Sequence, residues 1–256
     1  MADPMQVPAS PARQIGCAGL PPGMARDRYF KTLKLLEVDG TLAQLPKTSV
    51  VRKWRRDAPD DARFAIAAWQ LVTHRAPRKG YPGLKEQLAP EQLAEAGHFR
   101  DTATVRAAAE RTFEVARTLD AEAVVFHTPA DFTPSAANRD AMRRFFTEVA
   151  TAEVRGAIRC VWRPLGLWQL DGVTDLVAEC GLVLALNPLA ADEAALVGDE
   201  AYLRVAPTGA VTQVDEGHLY DLADLVAGLE RAWVLLGTAN KWRDAQRLGK
   251  ALADLG

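Results

Sequence analysis

Two histidines, two neighbouring acids and two arginines are the side chains of this 256-residue chain whose types and spacing could do chemistry. Imidazole titrates near neutral pH, so His74 and His127 are the first candidates for a general acid or base. His127 closes the apolar run Ala123–Phe126, whereas His74 stands in a long insertion. Either can equally be a packed, hydrogen-bonded histidine. Glu37 and Asp39 are two apart in an apolar stretch, which places them on one face of a strand. Inside a core they would be a base and its partner, or the acid half of an ion pair, because a buried carboxylate needs a cation. Arg163 and Arg204 each lie at the end of an apolar run. Guanidinium is always charged and grips carboxylate or phosphate with two parallel hydrogen bonds, so two of them converging would form an anion site. The competing reading pairs each arginine with a structural acid such as Glu37 or Asp39.

Other chemistries fit less well. Cys17, Cys160 and Cys180 form no C-x-x-C spacing, and an odd number argues against a disulfide framework. Cys17 would need a depressed pKa and a neighbouring base to be a nucleophile, so a buried, inert thiol is expected. His74, His127 and Glu37 lack any short-range spacing of the His-Glu-x-x-His kind, and no metal is expected. Gly16, Gly19 and Gly23 do not match a dinucleotide-binding turn, and Pro21 and Pro22 remove backbone N–H groups that would cradle a pyrophosphate, so no cofactor is expected. Arg52-Lys53-Trp54-Arg55-Arg56 reads as a solvated helix face with Trp54 turned inward. Trp69 and Trp168 lie near strand ends and could wall a pocket.

The elements that must position these residues follow an eightfold rhythm of short apolar runs and amphipathic stretches. Strands are expected at 13–17, 35–41, 64–69, 123–127, 157–163, 182–187, 201–205 and 232–236. Between them, helical spacing predicts a helix over 47–57 burying Val50, Val51 and Trp54, and one opened by Ser135 with Met142, Phe145, Phe146 and Val149 inward. A further helix buries Val173, Leu176, Val177 and Cys180 and stops at Gly181, and a short helical turn links strands six and seven. Runs such as Leu182–Leu186 are apolar throughout, as in sheets covered on both faces. The pattern predicts one α/β domain over residues 12–256, a closed (β/α)8 TIM-like barrel of parallel strands with outer helices, and puts any chemistry at the strand C-termini. The insertion from Gln70 to about Arg100, with a short helix after Pro90, leaves from that end and could act as a lid.

Composition is that of an ordinary globular protein, with 48% hydrophobic and 25% charged residues. A net charge of -2 gives no electrostatic reason to expect a nucleic-acid partner. No apolar run reaches the roughly 18 residues that span a bilayer, so no membrane partner is expected. Residues 1–11 have neither a basic start nor an apolar centre and are expected to be a disordered tail, in a cytoplasmic protein.

The segment Glu37-Val38-Asp39-Gly40-Thr41-Leu42-Ala43-Gln44-Leu45-Pro46 resembles the Glu-Ile-Asn-x-Thr-Phe-Tyr-x-Leu-Pro stretch of the YecE-like family, TIM-barrel proteins of unknown function. Ile15–Gly19, Arg63–Ala68, Thr73-His74, Val125–Pro129, Trp162-Arg163 and Tyr202–Arg204 resemble further family segments in the same order. The resemblance implies a barrel fold and a mouth built from Glu37, Thr41, Thr73, His74, Arg163 and Arg204; the family's terminal Asn-Asn pair is missing from Leu236-Gly237-Thr238, though Asn240 lies close by. Several of the family's polar positions are changed: Leu20 stands for Trp, Ala43 for Tyr, Ala67 for Lys, His127 for Gln, Val161 for Glu, and Ala206 sits near the usual His.

Two functions are therefore expected to compete. In one, the mouth takes an anionic small molecule, with Arg163 and Arg204 as clamp, Thr41, Thr73 and Asn240 as further contacts, and Glu37, His127 or His74 as acid or base. In the other, the fold persists as a binding or scaffold protein whose chemistry is lost, with Leu20, Val161 and Leu236 filling the mouth.

Overall fold

The computed structural model describes residues 12–168, 170–190, 200–208 and 213–255. The expected tail and the helical turn between strands six and seven lie outside the described residues. Eight parallel strands pair in chain order, and the first also pairs with the eighth, closing a barrel. They are β1 (Arg13–Ala18), β2 (Leu35–Val38), β3 (Arg63–Ala67), β4 (Ala121–His127), β5 (Arg159–Arg163), β6 (Val183–Leu186), β7 (Glu200–Val205) and β8 (Arg231–Leu236). The helices outside it are α1 (Arg26–Phe30), α2 (Thr48–Arg56), α3 (Gln70–Thr73), α4 (Pro90–Glu95), α5 (Ala103–Leu119), α6 (Ala136–Arg144), α7 (Ala152–Arg155), α8 (Leu170–Cys180), α9 (Glu216–Ala227) and α10 (Lys241–Leu255).

Two cores follow from the alternation of side chains along each strand. Leu35, Ala65, Val125, Val161, Tyr202 and Trp233 point to the axis and fill the barrel. Their neighbours in sequence, such as Leu36, Val124, Phe126 and Trp162, face the helices in a larger outer core. The expected caps hold: the Ser135 hydroxyl accepts from the Asn138 N–H to open α6, and Gly181, at φ +60°, ends α8.

The structure corrects three local expectations. β2 ends at Val38, and Asp39–Leu42 is a 3₁₀ turn, because the buried Thr41 hydroxyl draws on the carbonyls of Val38 and Ala67, each at 2.7 Å. Asp39 therefore leaves the strand and is exposed, so it is no partner of Glu37 inside the barrel. Val50 is 38% exposed, since adjacent helical residues lie about 100° apart and Val51 takes the buried position. Leu236 and the half-buried Leu20 pack in the outer core, leaving only Val161 of the three residues expected to fill the mouth on the inner face.

Candidate functional site

At the C-terminal end of the barrel four strands bring ionisable side chains together. Glu37 closes the inner row of β2 and is fully buried. Both of its oxygens are occupied: Oε2 accepts from the Tyr202 hydroxyl at 2.7 Å and Oε1 from Arg204 Nε at 3.2 Å. Tyr202 and Arg204 lie two apart on β7, so strand periodicity alone delivers both to the same carboxylate. Burial, and then the adjacent Glu37 charge, push the Tyr202 phenol far above its ordinary value, so it stays a donor.

His127 and Arg163 are register partners on β4 and β5. Arg163 NH1 lies 3.3 Å from His127 Nδ1. Guanidinium can only donate, so Nδ1 accepts and the imidazole proton sits on Nε2. Burial, followed by the charges of Arg163, Arg204 and His74, holds the His127 pKa well below its usual value and keeps the ring neutral. Burial and the Arg204 charge depress Arg163 as well. Among the described residues Arg163 has no carboxylate within ion-pair distance, unlike Arg204. With neutral His127, two guanidiniums facing one carboxylate leave this group one positive charge in excess.

The other expected site residues are placed elsewhere. Thr41 is buried and its hydroxyl is committed to backbone carbonyls. The buried Thr73 hydroxyl pairs with Nδ1 of His74 at 2.8 Å. Burial lowers the His74 pKa while Asp131 opposes the shift. His74 borders a cleft of about 540 Å3 over the ends of β2, β3 and β4. Asn240 is exposed at the start of α10, where it lines a separate hollow of about 350 Å3 with Thr238 and Arg243, whose lining includes neither Arg163 nor Arg204. Trp69 and Trp168 do not wall the mouth: Trp69 is buried under the Arg111 guanidinium, and Trp168 stacks on Phe132. Cys17 is buried and its thiol is pushed up to about 11, chiefly by burial, as expected of an inert group. The basic run of α2 is solvated, with Lys53 on Asp57 and Arg55 on the Pro59 and Ala62 carbonyls.

Three participants escaped the sequence reading. Tyr202 was signalled by its spacing from Arg204. His98 and Asp131 carried no signal, because the backbone contact of His98 with Thr73 and its approach to Asp131 are tertiary features. His98 is buried, with Nε2 3.5 Å from Asp131 Oδ2, and burial lowers its pKa. Among the described residues no cluster of three or more His, Cys, Asp and Glu is arranged to hold a metal ion. No helix of the described residues is long and apolar enough to cross a membrane.

Comparison with known proteins agrees with this architecture. A crystal structure of a DUF72 family protein from Enterococcus faecalis superposes with a TM-score of 0.69 at 12% identity, over 94% of this chain and 95% of that one. A xylose isomerase domain containing protein from Salmonella typhimurium gives 0.53 at 15% identity, over 91% and 93%. Endonuclease IV from Thermus thermophilus gives 0.52 at 14%, over 96% and 99%. At such identities these likenesses speak to the fold alone. No curated protein matches the sequence. The profile described as "Protein of unknown function DUF72" matches residues 18–161, a stretch that holds Glu37, His74 and His127 but ends before Arg163 and Arg204. That match covers more than half of the chain, which belongs to the DUF72 family.

Proposed function

We propose that this protein, a divergent DUF72 member of the YecE-like kind, binds a small anion, carboxylate or phosphate, at the strand C-termini. Arg163 is the clamp, and the Nε2–H of neutral His127 is a second donor. The observation that carries the reading is the asymmetry of the two arginines. Arg204 is neutralised by Glu37, whereas Arg163 is half-buried with no acid partner among the described residues. A desolvated guanidinium without a counter-charge is unfavourable unless a ligand supplies one. Glu37 supports binding over turnover, because both its oxygens are already engaged and it is not open to take a substrate proton. This favours a protein that keeps the fold and an anion site with reduced chemistry.

Thermal unfolding in increasing inorganic phosphate tests the reading. A ligand that binds only the native state at 100 times its Kd stabilises it by about 2.7 kcal/mol, so Tm should rise with concentration. Arg163→Ala should abolish the rise and Arg163→Lys weaken it, since lysine lacks the two-pronged geometry. No shift in phosphate or acetate at high concentration would overturn the proposal.

A further inference from the structure

We propose that the anion bound at this mouth carries a ring, seated in the neighbouring cleft of about 540 Å3; the inference rests on the anion reading above and names the ligand class. Leu42, Ala43, Ala76, Pro82 and Pro129 give the cleft apolar walls, while His74, Arg75 and Asp131 place polar groups along it. This is the composition and size of a small-molecule site, in the range of about 300–1,000 Å3. The cleft adjoins the mouth. Pro129, on the cleft wall, lies two residues beyond His127, the last residue of β4.

The walls are fixed before any ligand arrives. The buried Gln70 amide donates to the carbonyls of Ala43 and Pro82, at 2.8 and 3.3 Å, tying the two sides together. The Tyr81 hydroxyl donates to the His74 carbonyl at 2.7 Å. Beneath His74, Gly97, His98 and Phe99 are consecutive residues of positive φ, at +86°, +57° and +53°. Their N–H groups donate to the carbonyls of Leu71, Thr73 and Val72 at 2.8, 3.1 and 3.0 Å, clasping the end of α3 that carries His74. A Cβ at Gly97 would meet the His74 backbone at 2.2 Å. Left-handed backbone at His98 and Phe99 is strained and persists only where the surroundings impose it, and such strain concentrates at ligand clamps. A rigid cleft with proline and alanine walls suits a rigid ring, which loses little conformational freedom on binding. The acid of such a ligand reaches Arg163 and the His127 Nε2–H, and a hydroxyl or amine on the ring meets His74 or Asp131. The ligand class is therefore a cyclic or aromatic carboxylate or phosphate monoester.

Titration calorimetry of the full chain with phenyl phosphate and with inorganic phosphate tests this. The wild type should bind phenyl phosphate at least tenfold more tightly. Two variants that fill the cleft, at the lining residues Ala76 and Leu42, Ala76→Phe and Leu42→Trp, should bring phenyl phosphate down to the affinity of phosphate while leaving phosphate unchanged, and Arg163→Ala should weaken both ligands. Equal affinity of the wild type for both, with binding still dependent on Arg163, would overturn the ring inference and leave the anion reading standing. A preference that survives both filled variants would also overturn it. Binding of neither ligand would overturn both.

Discussion

The Tyr202 hydroxyl on β7 donates to the Glu37 carboxylate on β2 at 2.7 Å, joining two strands that do not pair through the interior of the barrel. This bond and the Arg204 contact make Glu37 a structural keystone of the mouth. Replacing Glu37 by Gln strands a half-buried guanidinium, and breaking a buried pair in this way costs roughly 3–5 kcal/mol. Tyr202→Phe removes one hydrogen bond to a charged group, about 1.5–3 kcal/mol. Urea denaturation should show both losses. A Glu37→Gln protein as stable as the wild type, but lacking an activity the wild type has, would restore Glu37 as a catalytic base.

Arg163 should behave in the opposite sense. It is desolvated, lies near the Arg204 charge, and has no acid partner among the described residues. Arg163→Met should therefore stabilise the ligand-free protein, by about 0.5–2 kcal/mol, the common size of a single stabilising substitution. Arg204→Met should destabilise it, because Glu37 loses its cation. Denaturation midpoints measured without phosphate decide the matter, and equal losses in the two variants would contradict the asymmetry.

The pH dependence follows from His127. Its folded pKa is held well below the unfolded value of about 6.5, so below that pH the unfolded chain takes up a proton the native state refuses. Stability contributed by neutral His127 is present above pH about 6.5 and is lost as pH falls below it, by at most about 1.4 kcal/mol per pH unit. His74 and His98 are shifted in the same direction. His127→Asn, which keeps an acceptor for Arg163, should flatten the stability profile between pH 7.5 and 5 without abolishing its slope. Superimposable profiles for variant and wild type would contradict the assignment.

Thiol chemistry should be silent. Burial pushes Cys17 and Cys180 up to about 11 and Cys160 up to about 12, and all three are buried. The native protein should leave a thiol-specific chromogenic disulfide unreacted at pH 8, and the urea-unfolded chain should react at all three cysteines. Rapid reaction of the native protein would point to an opening that the packing does not predict.

The barrel was legible because its signal is local. Each apolar run is a strand, the amphipathic stretches that lie within the described residues are helices, and eight alternations admit few closures. Boundaries were less legible. The sequence continues β2 to Thr41, but the Thr41 hydroxyl ends it at Val38 by bonding the Ala67 carbonyl, 26 residues away.

The amino-acid sequence by itself determined the fold class, the end of the barrel where the polar residues gather, and the candidates Glu37, His127, Arg163 and Arg204, because strand position and strand periodicity depend on neighbouring residues alone. Only the tertiary structure decided how they pair. One carboxylate faces two guanidiniums at the mouth, and which of them it neutralises depends on the register between strands far apart in the chain. Periodicity places Tyr202 and Arg204 on one face but is silent on what lies opposite. The clasp of Gly97, His98 and Phe99 beneath His74 is likewise a matter of three-dimensional approach, for left-handed backbone is disfavoured at a bulky residue such as Phe99 and the local sequence does not call for three such residues in succession.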